Sequence, residues 1–92
     1  MTITRENIIE LLKVLFPFLK NEIESAAGVY EALGNIAIFL GEGIENENID
    51  EPVLQEAISF INELAAHNDP EIRNMLVVGI FETLSNYENS RA

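Results

Sequence analysis

Apolar residues recur every three or four positions along almost the whole chain, the spacing that gathers them on one face of an α-helix. Ile8, Leu12, Leu15, Leu19 and Ile23 form the first stripe. Thr4 stands as its N-cap, with Ile3 and Ile8 placed to close a hydrophobic staple. Pro17 lies inside this stretch and removes one helical hydrogen bond. The expectation is a kink or a break near Phe16, or a second short helix opened by Pro17 itself. Ser25, or the Ala26-Ala27-Gly28 stretch, marks the next boundary. A second stripe follows, made of Val29, Leu33, Ile36 and Leu40 and broadened by Tyr30, Ala37 and Phe39.

Gly41 and Gly43 read as stop signals suited to a left-handed C-cap, and residues 41–50 carry no stripe and read as a loop. Asp50-Glu51-Pro52 opens the third helix, an acidic cap followed by proline in the first turn. Leu54, Ile58, Ile61 and Leu64 or Ala65 are its expected buried face. Asp69-Pro70-Glu71 repeats the same signature after a turn and starts a fourth helix with Ile72, Leu76, Ile80, Leu84 and Tyr87 on one face. Met75, Val77, Val78 and Phe81 make that helix apolar on nearly every side, which predicts a central position. Gly79 in its middle weakens the helix by roughly 1 kcal/mol and is best explained by a neighbour crossing closely there.

No sustained alternation and no Asn-Gly hairpin turn argues for a strand. The fold class expected is all-α: a compact antiparallel bundle or stacked αα-hairpins of four to five helices, paired roughly as 1–41 and 50–87. The similarity between the halves is weak, and no repeat is read from it. One domain spans residues 1–92, with a disordered tail from about residue 88.

Composition narrows the function classes. Twelve isoleucines and ten leucines can fill a core, so the chain is not an acidic disordered tail. The absence of cysteine removes a disulfide framework, a thiolate nucleophile and a zinc knuckle. Glu6, Asn7 and Glu10 interrupt any secretory leader, and no run approaches a membrane span. The expectation is a soluble, cytoplasmic protein.

Net charge is −11, and it is unevenly placed. Between Lys20 and Arg73 stand twelve carboxylates and no lysine or arginine, while the two ends are almost balanced. Such a field repels nucleic acid and anionic lipid, so neither is expected as a partner, and it speeds encounter with a basic protein. It also serves simply to keep an apolar chain in solution.

Chemistry is scarce. His67 is the single histidine, and Glu63 four residues before it lacks the Glu-x-x-His spacing of carboxylate-bridged metal bundles. A histidine at a helix C-terminus has a simpler role in complementing the dipole. The loop carboxylates lack the alternating ligands and mid-loop glycine of a calcium loop. The four serines have no motif around them, and no glycine-rich phosphate loop is present. No catalytic residue, metal site or cofactor is expected, and the chain reads as a non-enzyme.

What remains is surface. Glu42, Glu45, Glu47, Asp50 and Glu51 surround the predicted loop, and Glu31 and Glu56 extend its field from the flanking helices. These seven are the candidate partner-binding residues. Tyr30, Phe39, Ile44 and Ile49 are candidate apolar anchors, although Ile44 and Ile49 are expected to fold back over the core.

The stretch from Asn68 to Leu84, opened by Asp69-Pro70-Glu71-Ile72-Arg73, resembles the C-terminal signature of small all-helical bacterial proteins similar to immunity partners of polymorphic or contact-dependent growth-inhibition toxins. The same opening resembles the start of a HEAT-type helix. The resemblance covers about 17 of 92 residues and implies a helical fold and a non-enzymatic role; it carries no catalytic residues. The implied partner is a cognate toxin, typically a nuclease whose basic surface holds a polyanion. The alternative reading is a helical adaptor or self-associating regulatory module, with a homodimer as one form. A nucleic-acid mimic is a third, less suited because the carboxylates gather in one loop instead of along a ridge.

Overall fold

The structure is a computed structural model that describes the backbone of residues 2–91 and the side chains of residues 2–88. Helix α1 (Ile8–Leu15) is followed by a 3-10 turn (Pro17–Leu19) and the short α2 (Lys20–Glu24). Helices α3 (Val29–Glu45) and α4 (Glu51–Ala65) come next. A continuous C-terminal rod then runs through α5 (Pro70–Asn74), a π-helical segment (Met75–Phe81) and α6 (Glu82–Arg91). The fold is all-α, with no strand among the described residues. Helicity continues through residues 88–91 of the expected tail, and residue 92 lies outside the described residues.

Thr4 acts one turn earlier than a simple N-cap. Its hydroxyl accepts from the Asn7 amide at 3.2 Å, and the Asn7 side-chain oxygen accepts from the Thr4 amide at 2.8 Å. This reciprocal pair is a capping box with asparagine in the third position. Ile3 and Ile8, the two ends of the staple, are both buried. Proline breaks the first stripe as expected: Phe16 ends α1 and fills the core, and Pro17 opens the 3-10 turn that leads into α2.

Two expectations along α3 fail together. Gly41 and Gly43 do not stop the helix, which continues to Glu45, and no described glycine has positive φ. Both glycines make room instead. A Cβ on Gly41 would lie 3.2 Å from the Tyr87 ring, and one on Gly43 would lie 3.0 Å from Ile49 Cβ. The loop is therefore only residues 46–50, and its turn is made by Glu47 at φ 54°.

The C-terminal rod is the element on which α3 and α4 both pack. Tyr30 meets Glu71 and Asn74, Gly34 meets Thr83, and Gly41 meets Leu84 and Tyr87, so α3 and the rod run in the same direction. That is the relation between the second and fourth helices of two stacked αα-hairpins. Gly79 marks the closest approach, as expected: a Cβ there would sit 2.9 Å from Leu33 Cβ. The π segment is centred at this crossing, and the Thr83 hydroxyl donates to the Gly79 carbonyl at 2.9 Å.

The buried face of α4 differs from the stripe read in the sequence, and the rod, whose stripe Ile72, Leu76 and Ile80 is buried as expected, is not covered on every side. Helix α4 buries Ala57, Phe60 and Leu64, while Ile58 is 45% exposed and Ala65 lies outside. The rod buries Ile72, Met75, Leu76, Gly79 and Ile80, but Val77, Val78 and Phe81 face outward. It is a core-forming helix with a bare apolar side, not one surrounded by neighbours. Among the described residues no polar or charged residue is buried, so the core is made by apolar contact alone.

The chain's start is fastened to the turn before α5. Arg5 forms a bidentate pair with Asp69 at 2.6 and 2.8 Å. His67 Nε2 meets the Ile3 carbonyl at 2.7 Å, and His67 Nδ1 accepts from the Asp69 amide at 3.0 Å. An amide can only donate, so Nδ1 is the bare nitrogen and Nε2 carries the proton. The histidine thus ties the N-terminus to the rod, a role its position in the sequence did not suggest. Among the described residues no helix is long and apolar enough to cross a membrane.

Candidate partner-binding groove

The break at Pro17 has a consequence for the surface. Turning the chain there buries Phe16 and pushes Phe18 outward, where it is 52% exposed. Phe18 rests against Phe39 of α3 with ring centroids 5.2 Å apart, and against Phe16 edge-on at 6.3 Å. Together with Ile49 of the connecting loop and Val53 in the first turn of α4, the two outer rings line a shallow depression of about 280 Å³. It shares Phe18 and Val53 with a second depression lined also by Val14, Pro17 and Pro52. The two form one apolar groove between the 3-10 turn and the start of α4.

Carboxylates stand on its edge. Asp50 lines the first depression, Glu56 lines the second, and exposed Glu51 lies between them in sequence on the first turn of α4. Glu42 is exposed three residues beyond Phe39, hence on the same side of α3. Glu47 projects from the connecting loop. Among the described residues no ion pair engages Glu42, Glu47, Asp50, Glu51 or Glu56, so their charges are offered to solvent. The last carbonyls of α3 add the negative end of a helix dipole at the same place.

Two of the seven candidate residues serve elsewhere. Glu31 accepts a hydrogen bond from the Ala27 amide and so caps the start of α3, where Gly28 has no side chain to do it. It lies 14 residues from Glu45, about 21 Å along the helix. Glu45 accepts from the Tyr87 hydroxyl at 2.7 Å and is turned towards α6.

The candidate anchors divide likewise. Phe39 lines the groove, and Ile49 folds back against Gly43 and the core. Ile44 does not fold back and is 57% exposed. Tyr30 is engaged: its hydroxyl donates to Glu71 Oε1 at 2.6 Å and accepts from Asn74 at 3.1 Å. The bond to Glu71 pushes the Tyr30 phenol above its ordinary range. Phe18, Val14 and Val53 were not singled out in the sequence; an aromatic immediately after a helix-breaking proline, off the buried stripe, is the signal that points to the first.

The polar groups of this groove are exposed carboxylates and the Asn48 amide. Among the described residues no cluster of three histidine or acidic groups could hold a metal ion. The arrangement is complementary to a surface that is basic at its edge and apolar at its centre.

No curated protein and no solved structure matches the chain. A family model described as a domain of unknown function (DUF7674) matches residues 9–92, and the chain belongs to that family.

Proposed function

We propose that the chain is a non-catalytic immunity protein of the cytoplasm, which binds a basic toxin domain, a nuclease in the first instance, and blocks it. The observation that carries the reading is the Phe18–Phe39–Val53 groove with Asp50, Glu51, Glu56 and Glu42 at its edge. Rim carboxylates steer a basic partner and fix its register, whereas apolar anchors in the groove slow its release. A nuclease surface that holds phosphates presents the lysines and arginines such a rim would meet. The resemblance over residues 68–84 supports an immunity role, and the groove supports the mode of binding.

Co-expression with the C-terminal domain encoded by the neighbouring upstream reading frame tests this. The expected result is a stable complex and restored growth of toxin-expressing cells. Complex formation should weaken with salt without vanishing, because the apolar contacts are unscreened. Asp50→Lys combined with Glu56→Lys should reduce rescue, and Phe18→Ser should accelerate dissociation. Absence of both complex and rescue would overturn the reading in favour of a helical adaptor.

A further inference from the structure

The outward side of the C-terminal rod is a second apolar surface, separate from the groove. Val77 is 48% exposed, Val78 36% and Phe81 48%. Arg73 and Glu82 are exposed at its two ends. These positions fall in two rows spaced by four, 73-77-81 and 74-78-82. A four-residue step drifts around an α-helix of 3.6 residues per turn, but the wider turns of the Met75–Phe81 π segment keep it on one side. An exposed apolar strip results, with a cation at one end and an anion at the other.

We infer that this strip is the interface of a homodimer in which the two rods cross antiparallel about a two-fold axis between Val77 and Val78. The sequence is self-complementary about that point. Arg73 and Glu82 lie equally far from it on opposite sides, so the two-fold operation sets Arg73 of each copy beside Glu82 of its partner. The same operation sets Val77 against the partner's Val78, and Phe81 over the partner's Asn74. Arg73 uses Nη1 to donate to the His67 carbonyl at 2.6 Å, which holds the guanidinium at this end and leaves its other donors for a carboxylate.

Net charge favours a second copy on this side over any face of the acidic middle. Two chains of −11 repel, and every face contributed by residues 21–72 carries carboxylates without lysine or arginine. Residues 73–92 balance two arginines against two glutamates, so like chains can touch at the rod without that repulsion, and its self-complementary charges distinguish it from the nearly balanced residues 1–20. The groove stays open in such a dimer, since it is built from α3, α4 and the 3-10 turn.

Sedimentation velocity on the full chain, from micromolar to millimolar concentration, reads the result directly. The expected species rises to twice the 10.3 kDa chain mass. Phe81→Asp should leave a monomer, and Glu82→Arg should weaken dimerisation by about tenfold, since symmetry creates two like-charge contacts. Combining Arg73→Glu with Glu82→Arg should restore it. Circular dichroism checks that each variant is folded. Because the chain has no cysteine, Val77→Cys with Val78→Cys should oxidise to a covalent dimer, and peptide mapping should find the cross-link between position 77 of one copy and position 78 of the other. A wild-type chain that stays monomeric, or a dimer indifferent to Phe81→Asp and to the charge swap, would overturn the inference.

Discussion

Single residues do most of the joining between distant parts of this chain, and Asp69 does the most. Its carboxylate takes both Arg5 donors and caps the Glu71 amide at 3.0 Å. The Arg5 guanidinium, followed by the Glu71 amide, holds that carboxyl at about 2, below its ordinary 3.8. A lowered folded-state value means the unfolded chain binds the proton first. The stabilisation is therefore whole above pH 3.8 and is lost as pH falls towards 2. Asp69→Asn should accordingly melt below wild type at pH 5–7 by a constant margin that closes between about pH 4 and 2. A margin that persists at pH 2 would show that Asp69 acts through packing. Gly79 is the second such residue. Gly79→Ala gains about 1 kcal/mol of helix propensity, yet its methyl would meet Leu33 Cβ, an atom fixed to the α3 backbone. Overpacking of this kind costs about 1–3 kcal/mol, so the net effect is destabilising, with Tm lower by roughly 4–8 °C per kcal/mol lost. This close crossing was legible in the sequence, because a glycine inside a strongly apolar helix gives up propensity that close packing of a neighbour offsets. The role of His67 was not, since nothing local shows that a carbonyl 64 residues away will meet its ring.

Elements were legible where punctuation and stripe agreed. Pro17, the two Asp-x-Pro or Asp-Pro starts and the stripes of α1 and α3 all mark what the structure contains. They misled where one signal had two physical causes. Gly41 and Gly43 fit a left-handed cap, but the same lack of a side chain lets Tyr87 and Ile49 approach α3, and packing won. In α4 the stripe through Ile58 and the stripe through Ala57 and Phe60 are both apolar, and only the position of the rod selects the second. Extending α3 to Glu45 has an energetic consequence. Glu42 now sits in the last turn of a helix, where a negative side chain opposes the dipole. Glu42→Lys should therefore raise stability by about 0.5 kcal/mol, or roughly 2–4 °C in Tm. The same change should weaken capture of a basic partner. Higher Tm with weaker binding would mark Glu42 as kept for the surface, whereas unchanged binding would remove it from the groove's edge.

At the scale of the whole molecule, charge and apolar exposure are divided among surfaces that the sequence shows only in part. The acidic middle was plain from the order of residues. The groove was not, because Phe18, Phe39 and Val53 come from three elements and meet only after the turn at Pro17. This division predicts three responses to one variable. Sixteen carboxylates against five lysines and arginines make self-repulsion the dominant long-range term, so added salt should raise Tm from its value at low ionic strength. Binding of a basic partner depends on attraction to the same charges and should weaken over the same salt range. Association through Val77, Val78 and Phe81 rests on apolar contact opposed by net charge, so screening should hold it constant or strengthen it. Melting, partner titration and sedimentation in one salt series therefore separate the three terms. Dimerisation that weakened with salt as steeply as partner binding would place the self-contact on charged surface, away from the rod. Partner binding that rose with salt would place the partner on apolar surface alone and leave the acidic edge to solvation.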